Sequence, residues 1–87
     1  MAGGSSVFHE LLAAARAAGI EVRQARLGGS GGGLARLKQK RQLFVDMDAD
    51  ADEQLERTVS GLAGVDEVLA QALSPAARAL LDSAREQ

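Results

Sequence analysis

Cysteine, tryptophan and tyrosine are absent from this 87-residue sequence, and histidine and proline occur once each. Without cysteine there can be no disulfide, no thiolate nucleophile and no zinc site that depends on sulfur. The single histidine, His9, has no second His or Cys to complete a metal site and no Ser or Cys context for a triad. It reads as a solvated surface residue, and no cofactor is expected. Phe8 and Phe44 are the only aromatics, which thins the supply of interface anchors and of platforms on which bases stack. The charge is not strongly of one sign: a formal −2 and a pI near 5.3 give no global field toward nucleic acid or an anionic membrane. A long apolar run is missing as well. After Met1-Ala-Gly-Gly-Ser-Ser the apolar stretch is broken by His9, Glu10 and Arg16, so it suits neither a signal peptide nor a membrane span, and a cytoplasmic location is the expectation.

What is present fits one small domain over residues 1–87, with residues 1–5 a flexible start and stability modest for the size. Ser5 or Ser6 can cap a first helix whose apolar face is Phe8, Leu11, Leu12, Ala15 and Ala18, ended by Gly19. Ile20 to Leu27 shifts toward a period of two and reads as a strand. Gly28-Gly-Ser-Gly-Gly-Gly33 has almost no side chain with which to hold a shape and spans roughly 13 to 15 Å as a flexible coil. It reads as a natural mobile connection or as an engineered linker. A phosphate-cradling loop is not expected, because neither common glycine-loop pattern aligns on it.

The most decided stretch is Leu34 to Met47, in which a basic alternating segment runs into the densest apolar run. This spacing predicts a β-hairpin turning at Gln39-Lys40, with Leu43-Phe-Val45 central or under helices on both sides. Asp50 with Glu53 starts a second helix closed by Gly61 and Gly64. Asp66 starts a third through Leu73, and Ser74-Pro75 opens a last one with Ala77, Leu80, Leu81 and Ala84 on its face. The fold expected is α+β in the order α-β-β-β-α-α-α, with a small, mainly antiparallel sheet covered by helices.

Leu43-Phe-Val-Asp-Met-Asp resembles the first motif of haloacid-dehalogenase-like phosphotransferases, a resemblance that would make Asp46 the nucleophile and Asp48 the proton-handling acid. Such an enzyme needs a parallel α/β sheet that brings in a Lys and further metal-binding carboxylates, and the residues that follow, about forty, read as helical. The acids Asp46, Asp48, Asp50 and Asp52 also invite comparison with an EF-hand loop. Counted from Asp46, its required Gly and Glu positions hold Ala51 and Arg57, and acids crowd helix starts for electrostatic reasons alone. No metal site is expected. Arg36, Lys38, Lys40 and Arg41 form a basic group in which strand alternation would place Arg36, Lys38 and Lys40 on one face as a possible anion contact. The ordinary role of such residues is to keep an edge strand solvated.

A helix, Gly-Ile-x-Val entering a strand, a glycine-rich loop, a hairpin and a further helix, over roughly residues 6 to 63, resembles the opening of small zinc peptidases of the ImmA/IrrE type. In that family the helix after the hairpin carries His-Glu-x-x-His. Here it reads Glu53-Gln-Leu-Glu-Arg-Thr-Val-Ser60, without histidine, so the resemblance implies at most a metal-free, non-enzymatic relative. It also looks like small bacterial proteins of unassigned function, from which no activity carries over. The functional expectation is a non-enzymatic protein-interaction or accessory module, contacting a protein partner or a second copy as a homodimer through Leu43, Phe44 and Val45. Two alternatives stand behind it: a weak nucleic-acid or phosphate binder through Arg36, Lys38, Lys40 and Arg41, and a phosphotransferase-like site at Asp46 and Asp48.

Overall fold

The structure is a computed structural model and describes residues 3–86. Its elements are α1 (Gly3–Ala17), β1 (Glu21–Ala25), β2 (Gly33–Leu37), β3 (Lys40–Asp46), α2 (Ala51–Leu62), α3 (Asp66–Leu69) and α4 (Pro75–Arg85). Class and element order are those expected from the sequence. The helix begins at Gly3, ahead of Ser5 and Ser6, so of the expected flexible residues 1–5 only the first two lie outside the described residues. At its other end Gly19 takes φ +84. The N–H of Ile20 then reaches back to the Ala15 carbonyl at 3.0 Å and that of Gly19 to Arg16 at 3.0 Å, which closes the last carbonyls of the helix.

The three strands lie in the order β1-β3-β2. β2 and β3 form the hairpin, antiparallel with Leu34 opposite Leu43, whereas β1 runs parallel to β3 with Val22 opposite Leu43. The sheet is therefore mixed, with one pair of each kind instead of mainly antiparallel. The turn falls on Lys38-Gln39, closed by Leu37 and Lys40, one residue earlier than expected. Lys38 takes φ +58 there, an uncommon conformation for a side-chain-bearing residue, and supplies the twist that two-residue hairpin loops need.

Leu43 is fully buried and Val45 is 2% exposed. They join Leu11, Ala15, Ile20, Leu62, Val68 and Leu81 in one apolar cluster between the sheet and the helices. α1 lies against β1, α2 lies against β2 and β3, and α4 packs on α1 and α2. Every helix is thus on the Leu43 side, and β3 is central but covered on one face only. Gly61 lies inside α2, not at its end. A Cβ there would come within 3.1 Å of Leu34, so the glycine lets the helix backbone sit down on β2. α3 is a single turn, ending at Leu69 and not at Leu73. The chain beyond it is held by the Arg78 guanidinium, which donates to the carbonyls of Leu69 (2.8 Å) and Gln71 (2.9 Å). Ser74 caps α4 as expected, accepting from the Ala77 N–H. The Glu10 carboxylate on α1 accepts from both the N–H (2.7 Å) and the hydroxyl (2.6 Å) of Ser74, which pins the last helix to the first.

Candidate interaction surface

Because β1 and β2 flank β3, the connection between them must cross the end of β3, two strand spacings or about 10 Å. The glycine-rich stretch makes that crossing, and Asp46, the last residue of β3, stands beneath it. Its Oδ1 accepts from the N–H of Leu27 (2.9 Å) and Asp48 (2.9 Å), and its Oδ2 from those of Gly29 (2.8 Å) and Gly31 (2.9 Å). Asp48 adds an acceptor for the Gly28 N–H at 3.0 Å and pairs with Arg26 at 2.9 Å. A loop expected to be mobile is instead fastened at four of its backbone donors from Leu27 to Gly31. Glycine is needed at two points of the crossing: a Cβ at Gly31 would stand 2.7 Å from the Leu27 Cβ, and Gly32 takes φ +102, where a Cβ would stand 3.2 Å from the Phe44 carbonyl oxygen.

These contacts decide what Asp46 can do. Burial pushes its pKa up, but the N–H groups of Leu27, Asp48, Gly31 and Gly29 together outweigh burial and hold it below the usual aspartate value. The side chain is an ionised carboxylate, 2% exposed, with all four lone-pair directions occupied. Both oxygens of Asp46, expected from the sequence to be a nucleophile, are thus engaged by backbone donors of the loop and of Asp48. The chain's own carboxylate takes the place in the glycine loop that a phosphate occupies in nucleotide-binding loops. Asp50 is likewise spent on its helix, accepting from the Glu53 N–H at 2.8 Å. Among the described residues no three His, Asp or Glu side chains converge as metal ligands.

The basic group is divided by the hairpin. Arg36 and Arg41 are cross-strand partners on the helix side, beside Leu34, Ser60, Gly61 and Gly64 of one shallow hollow. Arg41 donates to Glu67 at 3.2 Å and reaches the Ala18 carbonyl at 3.4 Å. The N–H of Glu67 itself, and then Arg41, lower the pKa of that carboxyl. Lys38 sits in the turn, and Lys40, by strand alternation, faces the opposite side. No single stripe for a phosphate backbone results. With the turn on Lys38-Gln39, one residue earlier than expected, Lys38 leaves the strand, Arg36 instead of Lys38 stands opposite Arg41, and Lys40 pairs with Leu37 on the other face.

Leu43 and Val45, expected at an interface, belong to the intramolecular core, whereas Phe44 points the other way. It is half-buried, yet it packs outside the core cluster. Around it on the uncovered face lie Gln42 and Lys40 of β3, Arg23 and Ala25 of β1, and Ala35 and Leu37 of β2. Leu37 is 61% exposed and Leu27, at the margin, 42%. Leu27, Gly32, Gly33, Leu34, Ala35 and Phe44 line a shallow apolar hollow of about 300 Å3. A second hollow, of about 360 Å3, opens at the carboxyl ends of β1 and β3 with Phe8, Met47 and Leu55 as its apolar lining and His9, Gln24 and Gln54 as polar neighbours. His9 is exposed there, its ring 6.0 Å from that of Phe8. The Gln54 amide is engaged with the carbonyls of Asp46 (2.9 Å) and Ala49 (3.2 Å). Nothing in the residue pattern signals this hollow, because its lining comes from four separate segments.

No helix among the described residues is long and apolar enough to cross a membrane. No family model matches the sequence, and neither the curated proteins nor the solved structures contain a match to it.

Proposed function

We propose that this chain is a non-catalytic protein-interaction module whose contact surface is the open sheet face around Phe44 together with the free edge of β2. The observation that carries this reading is the one-sided placement of the helices. They leave the aromatic of the apolar strand and the exposed Leu37 on a face that no helix among the described residues covers. Exposed apolar groups that cluster on a regular surface mark contact sites far more than those scattered singly. The acids that suggested phosphoryl chemistry are consumed in holding the crossing loop, and the basic residues that suggested nucleic acid are dispersed. The absence of histidine from α2 accords with a non-enzymatic role for a chain whose element order resembles the start of the zinc peptidases.

Panning a displayed random-peptide library on immobilised protein tests the reading. Binders enriched on the wild type and lost on Phe44→Glu, with the variant's circular dichroism unchanged, support it. Binding indifferent to Phe44→Glu and Leu37→Glu, or no enrichment at all, refutes it.

A further inference from the structure

We infer that the occupant of the β2 edge of this surface is a second copy of the same chain, joined through antiparallel pairing of β2 with β2 about a two-fold axis at Ala35. The inference rests on the reading of the open face as a contact surface and adds the partner and its register.

β2 is an edge strand, so one side of its backbone has no strand partner. Which groups point outward follows from the hairpin. A two-residue turn closed by Leu37 and Lys40 makes that pair exchange hydrogen bonds, and alternation repeats the exchange at Ala35 with Gln42 and at Gly33 with Phe44. Leu34 and Arg36 then turn their N–H and C=O groups to the free edge. The other edge strand is guarded differently. β1 reads Glu21-Val-Arg-Gln-Ala25, with two charges and a glutamine among its five residues, whereas β2 reads Gly33-Leu-Ala-Arg-Leu37, with one charge. Charged side chains are what ordinarily discourage edge pairing, so β2 is the edge left available.

The register follows from a knob and a hollow on the same strand. Leu37, the most exposed large apolar residue among the described residues, lies two residues to one side of Ala35, and Gly33, in the apolar hollow, lies two residues to the other. A two-fold axis perpendicular to the sheet at Ala35 sets Leu37 of each copy opposite Gly33 of the other, on the face that carries Phe44. Each leucine then fills the space beside Leu27 and Phe44 that the glycine leaves. On the helix side the same register sets Leu34 opposite Arg36. Both outward-turned residues of one copy thereby exchange hydrogen bonds with those of the other. A shift by two residues toward the turn would instead set Arg36 against Arg36, like charge on like, which is unfavourable directly across a strand pair. A shift the other way would leave Leu37 beyond the glycine. The two-fold contact uses each β2 edge once and closes at two copies.

Sedimentation of the full chain across a wide concentration range, together with single-cysteine cross-linking, tests this. The chain has no cysteine of its own, and the axis brings the two copies of residue 35 face to face as a non-hydrogen-bonded pair, within disulfide reach. The expected result is a concentration-dependent rise from 9.0 kDa toward twice that mass. Ala35→Cys should oxidise to a dimer at least tenfold faster than Asp82→Cys on α4, and adding Leu37→Glu should remove the difference. Equal rates at the two cysteines, or a monomer at every concentration, overturn the inference. If the library binders still depend on Phe44 in that case, the interaction reading stands and only the self-pairing falls. If they do not, both fall.

Discussion

Two adjacent residues of β3 should answer truncation in opposite ways. Leu43 is fully buried among α1, α2 and the sheet, and Leu43→Ala removes buried methyl groups from a packed interior, at a cost of about 2 to 5 kcal/mol. A domain of this length is worth about 4 to 13 kcal/mol in all. At about 4 to 8 °C of melting temperature per kcal/mol for this size, the loss is of order 10 °C or more, and the variant approaches unfolding at 37 °C. Phe44 is larger but half-buried and outside the core cluster. Phe44→Ala gives up only part of the roughly 1.5 to 3 kcal/mol that full burial of such a side chain is worth, and it leaves no cavity inside the core cluster. The melting temperature should fall less than for Leu43→Ala, while association measured by sedimentation weakens. Thermal melts by circular dichroism at low concentration, where each copy is alone, separate intramolecular from intermolecular cost. If Phe44→Ala falls as far as Leu43→Ala under those conditions, Phe44 belongs to the core and the open face is not what it is taken to be here.

Gly32→Ala should destabilise the fold by about 1 to 2 kcal/mol, since it forces a side chain into a left-handed conformation against the Phe44 carbonyl; a melt unchanged within a degree would contradict the account of the crossing. Asp46→Asn replaces two of the four acceptor directions by donors, and amide exchange at Leu27, Gly29 and Gly31 should accelerate well beyond that of the β2-β3 hairpin. Acid should act through the same groups. The pKa of Asp46 is lowered by four N–H donors against burial, and that of Glu10 by the Ser74 hydroxyl and N–H. The unfolded chain therefore binds these protons first. Their contribution is complete above the ordinary carboxylate range and is lost as pH falls below about 4, so Asp46→Asn and Glu10→Gln should each flatten the acid limb of a stability-against-pH curve.

Much of the fold was legible in the sequence because each element carried its own local signal. The Ser74-Pro75 entry, the Asp50 cap and Gly19 beyond the first helix work through hydrogen bonds or backbone conformations that neighbouring residues set. The parallel pairing of β1 with β3 was not legible, since it depends on the route of the connection and not on any residue within the strands. The turn was misplaced by one residue because Lys38 adopts a positive φ that the usual turn chemistry reserves for Gly or Asn, and the tertiary pairing of Leu37 with Lys40 overrides that preference. The expected alignment of Arg36, Lys38 and Lys40 on one face needs a strand that runs on through Lys38, and the turn there interrupts it. The site was legible in Phe44, whose neighbours Leu43 and Val45 were bound to face the other way. It was illegible in Asp46, since nothing local says that an acid at the end of a strand will be buried under a loop fifteen to nineteen residues earlier in the chain.

That Phe44 lies outside the core cluster is a consequence of topology and not of sequence economy. Parallel neighbours are usually joined by a crossover whose helix covers the sheet. Here β1 and β3 are parallel, but the path between them is seven residues of loop from Arg26 to Gly32, then β2 and a tight turn. The returning element is itself a strand of the sheet, so no helix is available on that route to lie over the outer face. α1 precedes β1, the remaining helices follow β3, and all pack together on the Leu43 side. Only a loop whose donors are satisfied locally can make so short a crossing without a covering element, and Asp46 supplies that satisfaction. The same carboxylate that fastens the crossing loop thus fixes β2 as an uncovered edge. An uncovered edge with Leu37 on one side of Ala35 and Gly33 on the other is what a second copy needs.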